Sequence, residues 1–213
     1  MDAKNINLYR YEEELNDNGI TLIAGVDEVG RGPLAGPVVV AAVILPECLR
    51  IKGINDSKQL SEKKRLELYE EIYDKALAIE VFFLGPEEVD NLNIYQATKF
   101  AMLNCINNLG IKPEHVLIDA MPLNELKIPH TSIIHGDALS ASIAAASIVA
   151  KVERDAYMVK MSKVYPGYGF EKHKGYPTKE HLLALERLGA TPIHRKTFGP
   201  VQKCLVKQLS LDI

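Results

Sequence analysis

The chain has 213 residues, of which 47% are hydrophobic and 25% are charged, as is typical of a soluble globular protein with one substantial domain. No apolar run approaches the roughly 20 residues that span a bilayer, and the polar N-terminal stretch is unlike a signal peptide, so we expect a cytoplasmic protein. The net charge is −3, but residues 1–150 hold 13 basic and 22 acidic side chains whereas residues 151–213 hold 12 and 6. This asymmetry suits a metal centre beside a phosphate-binding surface, although ordinary solvated charge explains it as well. Three cysteines without C-x-x-C spacing indicate reduced thiols rather than disulfides or a zinc site.

The first half of the chain predicts alternating strands and helices. A short amphipathic helix over 8–16 precedes two strands, TLIAGVD and GPVVVAAVILP. Ser61 can cap a helix over about 62–78, whose apolar residues recur at helical spacing, and the strand IEVFFLG follows. Pro86 fits the first turn of a helix that runs to about Leu109, with Gly110 as its left-handed stop.

The second half predicts two short strands and then helices. HVLID ends on Asp119, and TSIIHGD ends near Asp137. A long helix, ALSASIAAASIVAKVERDAYMVKMSKVY, is stopped by Pro166, and its Ala- and Ser-rich first half allows a close approach to a sheet. Further helices are expected near 178–188 and 198–209. This order predicts an α/β fold with a mixed strand order and a C-terminal helical extension.

A glycine-rich loop follows the first predicted strand. Gly30, Gly32 and Ala35 match G-x-G-x-x-A, a signature of dinucleotide-binding proteins. That signature requires a helix after the loop, whose N-terminus cradles pyrophosphate. Here Pro33 and Pro37 interrupt the loop and the strand VVVAAVIL follows, so the sequence argues against a dinucleotide cofactor.

Carboxylates stand at the ends of three predicted strands, at Asp27 and Glu28, at Asp119 and at Asp137. Ligand sites in open α/β sheets gather at strand ends, and clustered carboxylates favour a hard cation such as Mg²⁺. Two such ions could clamp the oxygens of a phosphodiester displacement. Adjacent strand residues point to opposite faces, so Asp27 and Glu28 share a centre only if the strand bends or bulges. Taken singly, each acid could be a turn residue, and Asp137 could cap the helix that begins near Leu139.

Five long motifs follow one another between about Ile23 and Phe198: GVDEVGRGPLAGPVVVAAV, NDSKQLS, IDAMP, HGDALSASIAAASIVAKVERD and YGFEKHKGYPTKEH. In this order they resemble bacterial ribonuclease HII. The resemblance implies a ribonuclease H-like fold, a five-stranded mixed sheet flanked by helices with a C-terminal helical extension. It implies one catalytic domain over 1–213, with an α/β core over about 18–165 and a helical region over about 166–213.

The same resemblance implies an endoribonuclease that depends on Mg²⁺ or Mn²⁺, with two ions when substrate is bound. Its partners would be RNA–DNA hybrids and duplex DNA that contains single ribonucleotides. Cleavage is expected 5′ of the ribonucleotide, leaving 3′-hydroxyl and 5′-phosphate ends. Such an activity would serve the removal of ribonucleotides and of RNA primers.

The family's four metal-binding carboxylates fall on Asp27, Glu28, Asp119 and Asp137. We expect a two-metal hydrolysis in which Asp27 bridges both ions. Glu28 and Asp119 would help to hold the ion on the leaving-group side. Asp137 would help to place the ion whose bound water attacks the phosphate.

The family's glycine–arginine–glycine motif falls on Gly30, Arg31 and Gly32, where largely backbone groups would read the ribose 2′-hydroxyl. That hydroxyl distinguishes RNA from DNA, and glycine lets a backbone approach its substrate closely. The tyrosine that stacks on the sugar at the RNA–DNA junction falls on Tyr176. From the residues alone, Tyr176 could equally be a buried aromatic beside a turn proline.

Three basic residues match positions that resemble phosphate contacts. Lys58 and Lys151 could instead be solvated surface lysines, and Arg195 could instead pack in the C-terminal helical region. Three histidines lack ligand spacing and are interpreted as surface or structural: His173, His181 and His194.

Two other classes of function stay open from the sequence. A different metal nuclease or phosphotransferase would also cut substrates without a ribonucleotide. A non-catalytic hybrid-binding module would bind without Mg²⁺, which the four acids disfavour because they repel phosphate. We expect a monomer, and we expect residues 199–213 to pack on the body rather than recruit a partner.

Overall fold

The computed structural model describes residues 7–211, with side chains described over 7–207. A 3₁₀ turn over Gly136–Ala138 supplements the regular elements. In chain order these are α1 (Arg10–Asn16), β1 (Ile23–Val29), β2 (Val38–Ile44), α2 (Glu62–Lys75), β3 (Ala78–Leu84), α3 (Pro86–Leu92), α4 (Ile94–Asn108), β4 (His115–Asp119), β5 (His130–Ile133), α5 (Ala141–Val164), α6 (Phe170–His173), α7 (Lys179–Leu188) and α8 (Gly199–Leu211).

The five strands form one mixed sheet in the order β3-β2-β1-β4-β5. The central strand β1 pairs antiparallel with β2 and parallel with β4, and β4 pairs parallel with β5. Asp27 on β1 lies opposite Ala41 on β2, and Ile118 on β4 lies opposite Val26. This arrangement confirms the predicted mixed α/β sheet and brings the ends of β1 and β4 side by side.

The chain divides into two compact units. Within the described residues, the first takes in residues up to Val29, Val39–Phe82 and Lys99–Val152, and the second takes in Gly30–Val38, Phe83–Thr98 and residues from Glu153 onward. The interpretation of residues 1–213 as one catalytic domain stays a prediction.

The core of the first unit joins β2 to the Ala-rich start of α5. Val39, Val43 and Ala146 are among its fully buried members. Gly25 on β1 has no room for a side chain, because a Cβ there would overlap the backbone of Ser142. The predicted close approach of this helix to the sheet is therefore confirmed.

The second unit has apolar clusters of its own. Phe170 stacks on Tyr168 with ring centroids 5.2 Å apart, and Met158 and Ile193 join them. Leu34 packs separately with Leu185 and Val201, so α7 and α8 cover the end of the glycine loop. Among the described residues, no helix is long and apolar enough to cross a membrane.

Two helix boundaries differ from the sequence predictions, and one predicted helix cap is confirmed. The helix expected to run from Pro86 to Leu109 breaks at Asn93, whose φ of 63° lies in the left-handed region. Gly110 was predicted as a left-handed stop, but its φ is not positive, so that prediction is wrong. The predicted cap is confirmed, because the Ser61 hydroxyl accepts the amide of Lys64.

The C-terminal part adds a short helix that the sequence analysis did not predict, α6. The predicted helices near 178–188 and 198–209 correspond to α7 and α8. The prediction for residues 199–213 extends to Asp212 and Ile213, which lie outside the described residues.

Candidate active site

Three aspartates of the first unit converge. Asp27 lies on β1, Asp119 is the last residue of β4, and Asp137 lies in the 3₁₀ turn after β5. Each offers a carboxylate oxygen, and these oxygens lie within 4.8 Å of one another. Parallel pairing of β1 with β4 sets two of them at the same edge of the sheet.

A tight turn brings in the third aspartate. The sequence predicts a fifth strand that ends near Asp137, but β5 ends at Ile133 and the chain turns through His135, whose φ is 58°. The amide of Gly136 then donates to Asp119 Oδ1 at 2.7 Å, which ties the turn to β4. The alternative role of Asp137 as a helix cap is wrong, because the Ser140 hydroxyl accepts the amide of Ile143 at the start of α5.

Asp27 is the most buried of the three, with 3% of its surface exposed. Its Oδ1 accepts the amide of Glu28 at 2.7 Å, and the Ser147 hydroxyl also bonds to this carboxylate. Ser147 in turn lies 2.8 Å from the hydroxyl of Ser57. Burial, followed by repulsion from Glu28 and Asp119, raises the pKa of Asp27 well above its usual range.

A lysine, Lys58, contacts this cluster. Lys58 Nζ lies 3.4 Å from Asp137 Oδ2. Burial opposes the charge of this amine, yet attraction to Asp137 and Asp27 leaves the pKa of Lys58 raised. The pKa of Asp119 is also raised, mainly by burial, although its bond from the Gly136 amide works against that shift. The charge balance of the site therefore favours an additional cation.

Glu28 is not among the three converging aspartates. The register of β1 on β2 continues without a bulge from Asp27↔Ala41 through Glu28↔Val40 to Val29↔Val39. No bulge interrupts the pairing of β1 with β2 between Asp27 and Glu28. The Glu28 carboxylate is nevertheless the strongest charged neighbour of Asp27, ahead of Asp119. Metal binding by Glu28 stays a prediction.

The predicted substrate loop belongs to the second unit, and the structure brings part of it beside Tyr176. A Cβ on Gly32 would lie 3.7 Å from the Tyr176 ring. Tyr176 is 38% exposed, so its ring is accessible rather than buried in the core. The neighbouring Arg31 is exposed, and Gly30 has a φ of 96°, which a side chain would strain.

Arg195 shapes this loop from inside. Its side chain is fully buried, and its guanidinium donates to the carbonyls of Gly30, Arg31 and Gly36 at 2.6–3.1 Å. Burial, with repulsion from Arg154, lowers the pKa of Arg195 to about 9. This geometry favours the alternative packing role over the predicted direct contact with phosphate.

A second buried arginine, Arg154, was missed by the sequence analysis. It donates to the carbonyls of Pro37, Ala35 and Lys174 at 3.0–3.1 Å, and so ties the loop to the turn before Tyr176. The helical spacing of the sequence does indicate that this arginine is buried. Arg154 follows Ala150 by four residues and precedes Met158 by four, so it falls on the buried face of α5.

The remaining predicted residue, Lys151, lies on α5 and is partly exposed. The three aspartates fit the expected metal, because clustered carboxylate oxygens are hard donors that suit Mg²⁺ or Mn²⁺. The first unit thus supplies oxygen ligands and a lysine. The second unit holds a glycine loop whose carbonyls accept hydrogen bonds from Arg195.

A family model described as ribonuclease HII matches residues 24–201. The chain belongs to the ribonuclease HII family. Ribonuclease HII from Bacillus cytotoxicus is 57% identical over 204 residues, which cover 96% of this chain and 78% of that protein.

Solved structures of ribonuclease HII relatives agree with the fold. Ribonuclease H2 from Pyrococcus horikoshii is 27% identical with a TM-score of 0.75, covering 87% of this chain and 97% of that one. The ribonuclease HII of Archaeoglobus fulgidus, solved as a complex with PCNA, is 28% identical with a TM-score of 0.70, covering 84% and 95%.

Membership in the ribonuclease HII family confirms the predicted activity. The chain is a metal-dependent endonuclease that degrades the RNA of RNA–DNA hybrids and leaves 5′-phosphate ends. Its cofactor is a divalent metal, Mg²⁺ or Mn²⁺.

Proposed function

We propose that this ribonuclease HII also cuts duplex DNA on the 5′ side of a single embedded ribonucleotide, by two-metal hydrolysis. The observation that carries the proposal is the convergence of Asp27, Asp119 and Asp137 to within 4.8 Å. Such an activity would serve ribonucleotide removal and RNA primer removal. The protein is proposed to act as a cytoplasmic monomer.

The carboxylates are proposed to coordinate the metal together. Asp27 is proposed as the shared ligand because it is the most buried of the three, and Asp119 and Asp137 complete the set. Glu28 is kept as a proposed fourth ligand, on the resemblance and on its place beside Asp27, whose carboxylate it repels. When bound, divalent ions neutralise charge on the scissile phosphate and lower the pKa of a bound water. The aspartates and their hydrogen-bond partners would fix that arrangement before substrate arrives.

The loop from Gly30 to Gly32 is proposed to read the 2′-hydroxyl. The carbonyls of Gly30 and Arg31 are engaged by Arg195, so the loop has a fixed backbone shape. A rigid backbone discriminates a hydroxyl from a hydrogen better than a mobile backbone does, because it loses less conformational entropy on binding. Arg195 is thus proposed to act through the loop rather than on phosphate.

Tyr176 is proposed to stack on the sugar at the RNA–DNA junction, since its ring is accessible beside Gly32. Lys58 and Lys151 are proposed to contact substrate phosphates. For Lys58 the amine now facing Asp137 would be shared with a phosphate.

An end-labelled duplex with one internal ribonucleotide, beside its all-DNA twin, tests the proposal. We expect Mg²⁺-dependent cutting immediately 5′ of the ribonucleotide, with the twin intact. In the same assay Tyr176→Phe should keep much of the activity and Tyr176→Ala should lose it. Cutting of the all-DNA twin would favour a general metal nuclease. Binding without cutting in either Mg²⁺ or Mn²⁺ would favour a non-catalytic hybrid-binding module.

A further inference from the structure

Three histidines of the second unit surround Phe170, and two of them are buried. His181 on α7 has no exposed surface, and His194 has 1%. Both rings lie within 6 Å of the Phe170 ring, at 5.4 and 5.8 Å between centroids. The metal-dependent cleavage described above uses neither of them, so their burial calls for another explanation.

The two histidines form part of a directed chain of hydrogen bonds. The amide of Thr191 donates to His194 Nδ1 at 2.9 Å, which makes that nitrogen an acceptor. His194 must therefore carry its proton on Nε2, which lies 3.1 Å from His181 Nε2. His181 Nε2 accepts the hydrogen bond from His194. His181 therefore carries its own proton on Nδ1, which donates a hydrogen bond to the carbonyl of Tyr176 at 3.0 Å.

An additional proton would disturb this order of donors. A proton on His181 Nε2 would face the Nε2–H of His194. A proton on His194 Nδ1 would face the Thr191 amide, with the Thr191 hydroxyl as an acceptor 2.8 Å away. Burial lowers the pKa of both histidines, with repulsion from His181 bringing that of His194 to about 4. The other titratable rings that face the pair are His173, which stacks on His181 at 4.6 Å, and Tyr168, which lies 5.4 Å from His194. Neither supplies a negative charge to an imidazolium at neutral pH.

The end of the chain is the residue that is proposed to contact the junction. The Tyr176 carbonyl accepts from His181 Nδ1 and from the amide of Thr178 at 2.8 Å. The Tyr176 amide donates to the carbonyl of His173 at 2.9 Å. Both backbone polar groups of Tyr176 are thus engaged while its ring stays accessible.

We propose that His181 and His194 are positioning residues for Tyr176, holding its backbone so that its ring meets the sugar of the junction ribonucleotide. This inference rests on the proposed stacking role of Tyr176. The hydrogen bonds of the pair all donate in one direction, from the Thr191 amide towards the Tyr176 carbonyl. The pair therefore fixes the orientation of that carbonyl as well as contacting it. A pair that served only the packing of α7 would affect stability without acting through Tyr176.

A double-mutant cycle separates these two roles. Single-turnover cleavage of the one-ribonucleotide duplex is measured for His194→Asn, Tyr176→Ala and the double variant. The His194→Asn variant keeps an oxygen that can still accept the Thr191 amide, so it removes chiefly the bond to His181. We expect His194→Asn to slow cleavage at least about 10-fold, because misplacement of a contacting group by about 1 Å costs up to about 100-fold. In the Tyr176→Ala background the further loss should be under about 2-fold, since residues that act through one another are not additive.

Rescue and control variants sharpen the cycle. His181→Asn keeps an amide donor near the Nδ1 position and should retain more activity than His181→Leu, which has no donor. Leu183→Ala on the exposed face of α7 should cleave like the wild type, since Leu183 is 56% exposed. All rates are taken at a temperature where each variant is folded by circular dichroism.

A substrate-free readout covers variants that cleave poorly. The chain has no tryptophan, so Tyr176→Trp supplies its only indole. His194→Asn in that background should lower the anisotropy of the indole, and an unchanged anisotropy would overturn the positioning role. Equal slowing by His194→Asn in both Tyr176 backgrounds would also overturn it while leaving the role of Tyr176 intact. Wild-type cleavage by Tyr176→Ala would instead refute the stacking role, and the positioning role with it.

Discussion

A Cβ on Gly30 would overlap the Nε atom of Arg154, whose guanidinium fills the space beneath the glycine loop. The same Cβ would lie 2.7 Å from the carbonyl oxygen of Pro37, to which Arg154 donates. Two features therefore require glycine at position 30: its φ of 96°, and the buried arginine that leaves no room for a side chain. The shape of the loop depends on an interior residue as much as on its own sequence.

This relationship predicts that Gly30→Ala displaces Arg154 and distorts the loop. We expect a loss of about 1–3 kcal/mol in the free energy of unfolding and at least about a 10-fold loss of hybrid cleavage. Gly110→Ala is the matched control, because a Cβ there meets nothing within 4 Å and φ is not positive. Urea unfolding and initial rates check both variants. Equal behaviour of the two would refute the requirement at Gly30.

The cluster of aspartates predicts a conflict between stability and activity. Asp27→Asn removes a buried charge that is repelled by its neighbours, so without metal it should raise the free energy of unfolding by about 1 kcal/mol. The same variant should lose the stabilisation that Mg²⁺ gives the wild type, and should lose cleavage. Asp74→Asn, at an exposed position on α2, is the control. Thermal unfolding in EDTA and in Mg²⁺ measures both effects, and an Asp27→Asn variant that still responds to Mg²⁺ like the wild type would contradict this assignment.

Lys58 offers a test of phosphate contact. Lys58→Met should weaken hybrid binding and raise KM while kcat changes little. The slope of log Kd against log salt concentration should fall by about 1, as expected when one phosphate contact is lost. Lys63→Met, exposed on α2, should leave the slope unchanged. Binding by fluorescence anisotropy, with Ca²⁺ in place of Mg²⁺, gives the slope. An unaltered slope for Lys58→Met would assign this lysine to Asp137 alone.

The buried histidine pair predicts an acid-sensitive stability. Burial lowers the pKa of His194 to about 4, below the value of about 6.5 in an unfolded chain. The folded state therefore resists a proton that the unfolded state accepts, so stability is complete above about pH 6.5 and is lost as pH falls toward 4. Each such histidine contributes a slope of up to about 1.4 kcal/mol per pH unit in this window.

His194→Asn should flatten that slope relative to the wild type. Urea unfolding at pH 7.5, 6.5, 5.5 and 4.5, in EDTA, measures it, and the difference between proteins removes the shared contribution of carboxylates. His135→Asn, at an exposed turn position, is the control. Parallel curves for the wild type and His194→Asn would show that His194 gives no such dependence.

The sequence predicts which aspartates form the cluster better than it predicts the turns and hydrogen bonds that hold them in place. HVLID is an apolar run that ends on an acid, so the place of Asp119 follows from local pattern. The place of Asp137 does not, because the left-handed turn at His135 is tied down by the long-range bond from Gly136 to Asp119. Tertiary contacts of this kind leave no periodic trace in the chain.

Buried polar residues were also hard to predict. Arg154 and His181 occur among charged neighbours and resemble surface residues, yet both satisfy backbone carbonyls in the interior. Asn93 held a readable signal, because its side chain accepts the amides of Tyr95 and Gln96 and so caps α4. An asparagine at this position is typical of a helix cap, which is why the predicted helix divides there.

Cleavage by Asp119→Asn tests whether the three aspartates form the metal centre. The wild type and the variant are compared on the one-ribonucleotide duplex in single turnover, over rising Mg²⁺ and Mn²⁺, with binding of the duplex measured separately. We expect the variant to stay folded and to bind the duplex, yet to cleave at least about 100-fold more slowly even at saturating metal. Near wild-type cleavage by Asp119→Asn would contradict the assignment of the three aspartates as the metal centre.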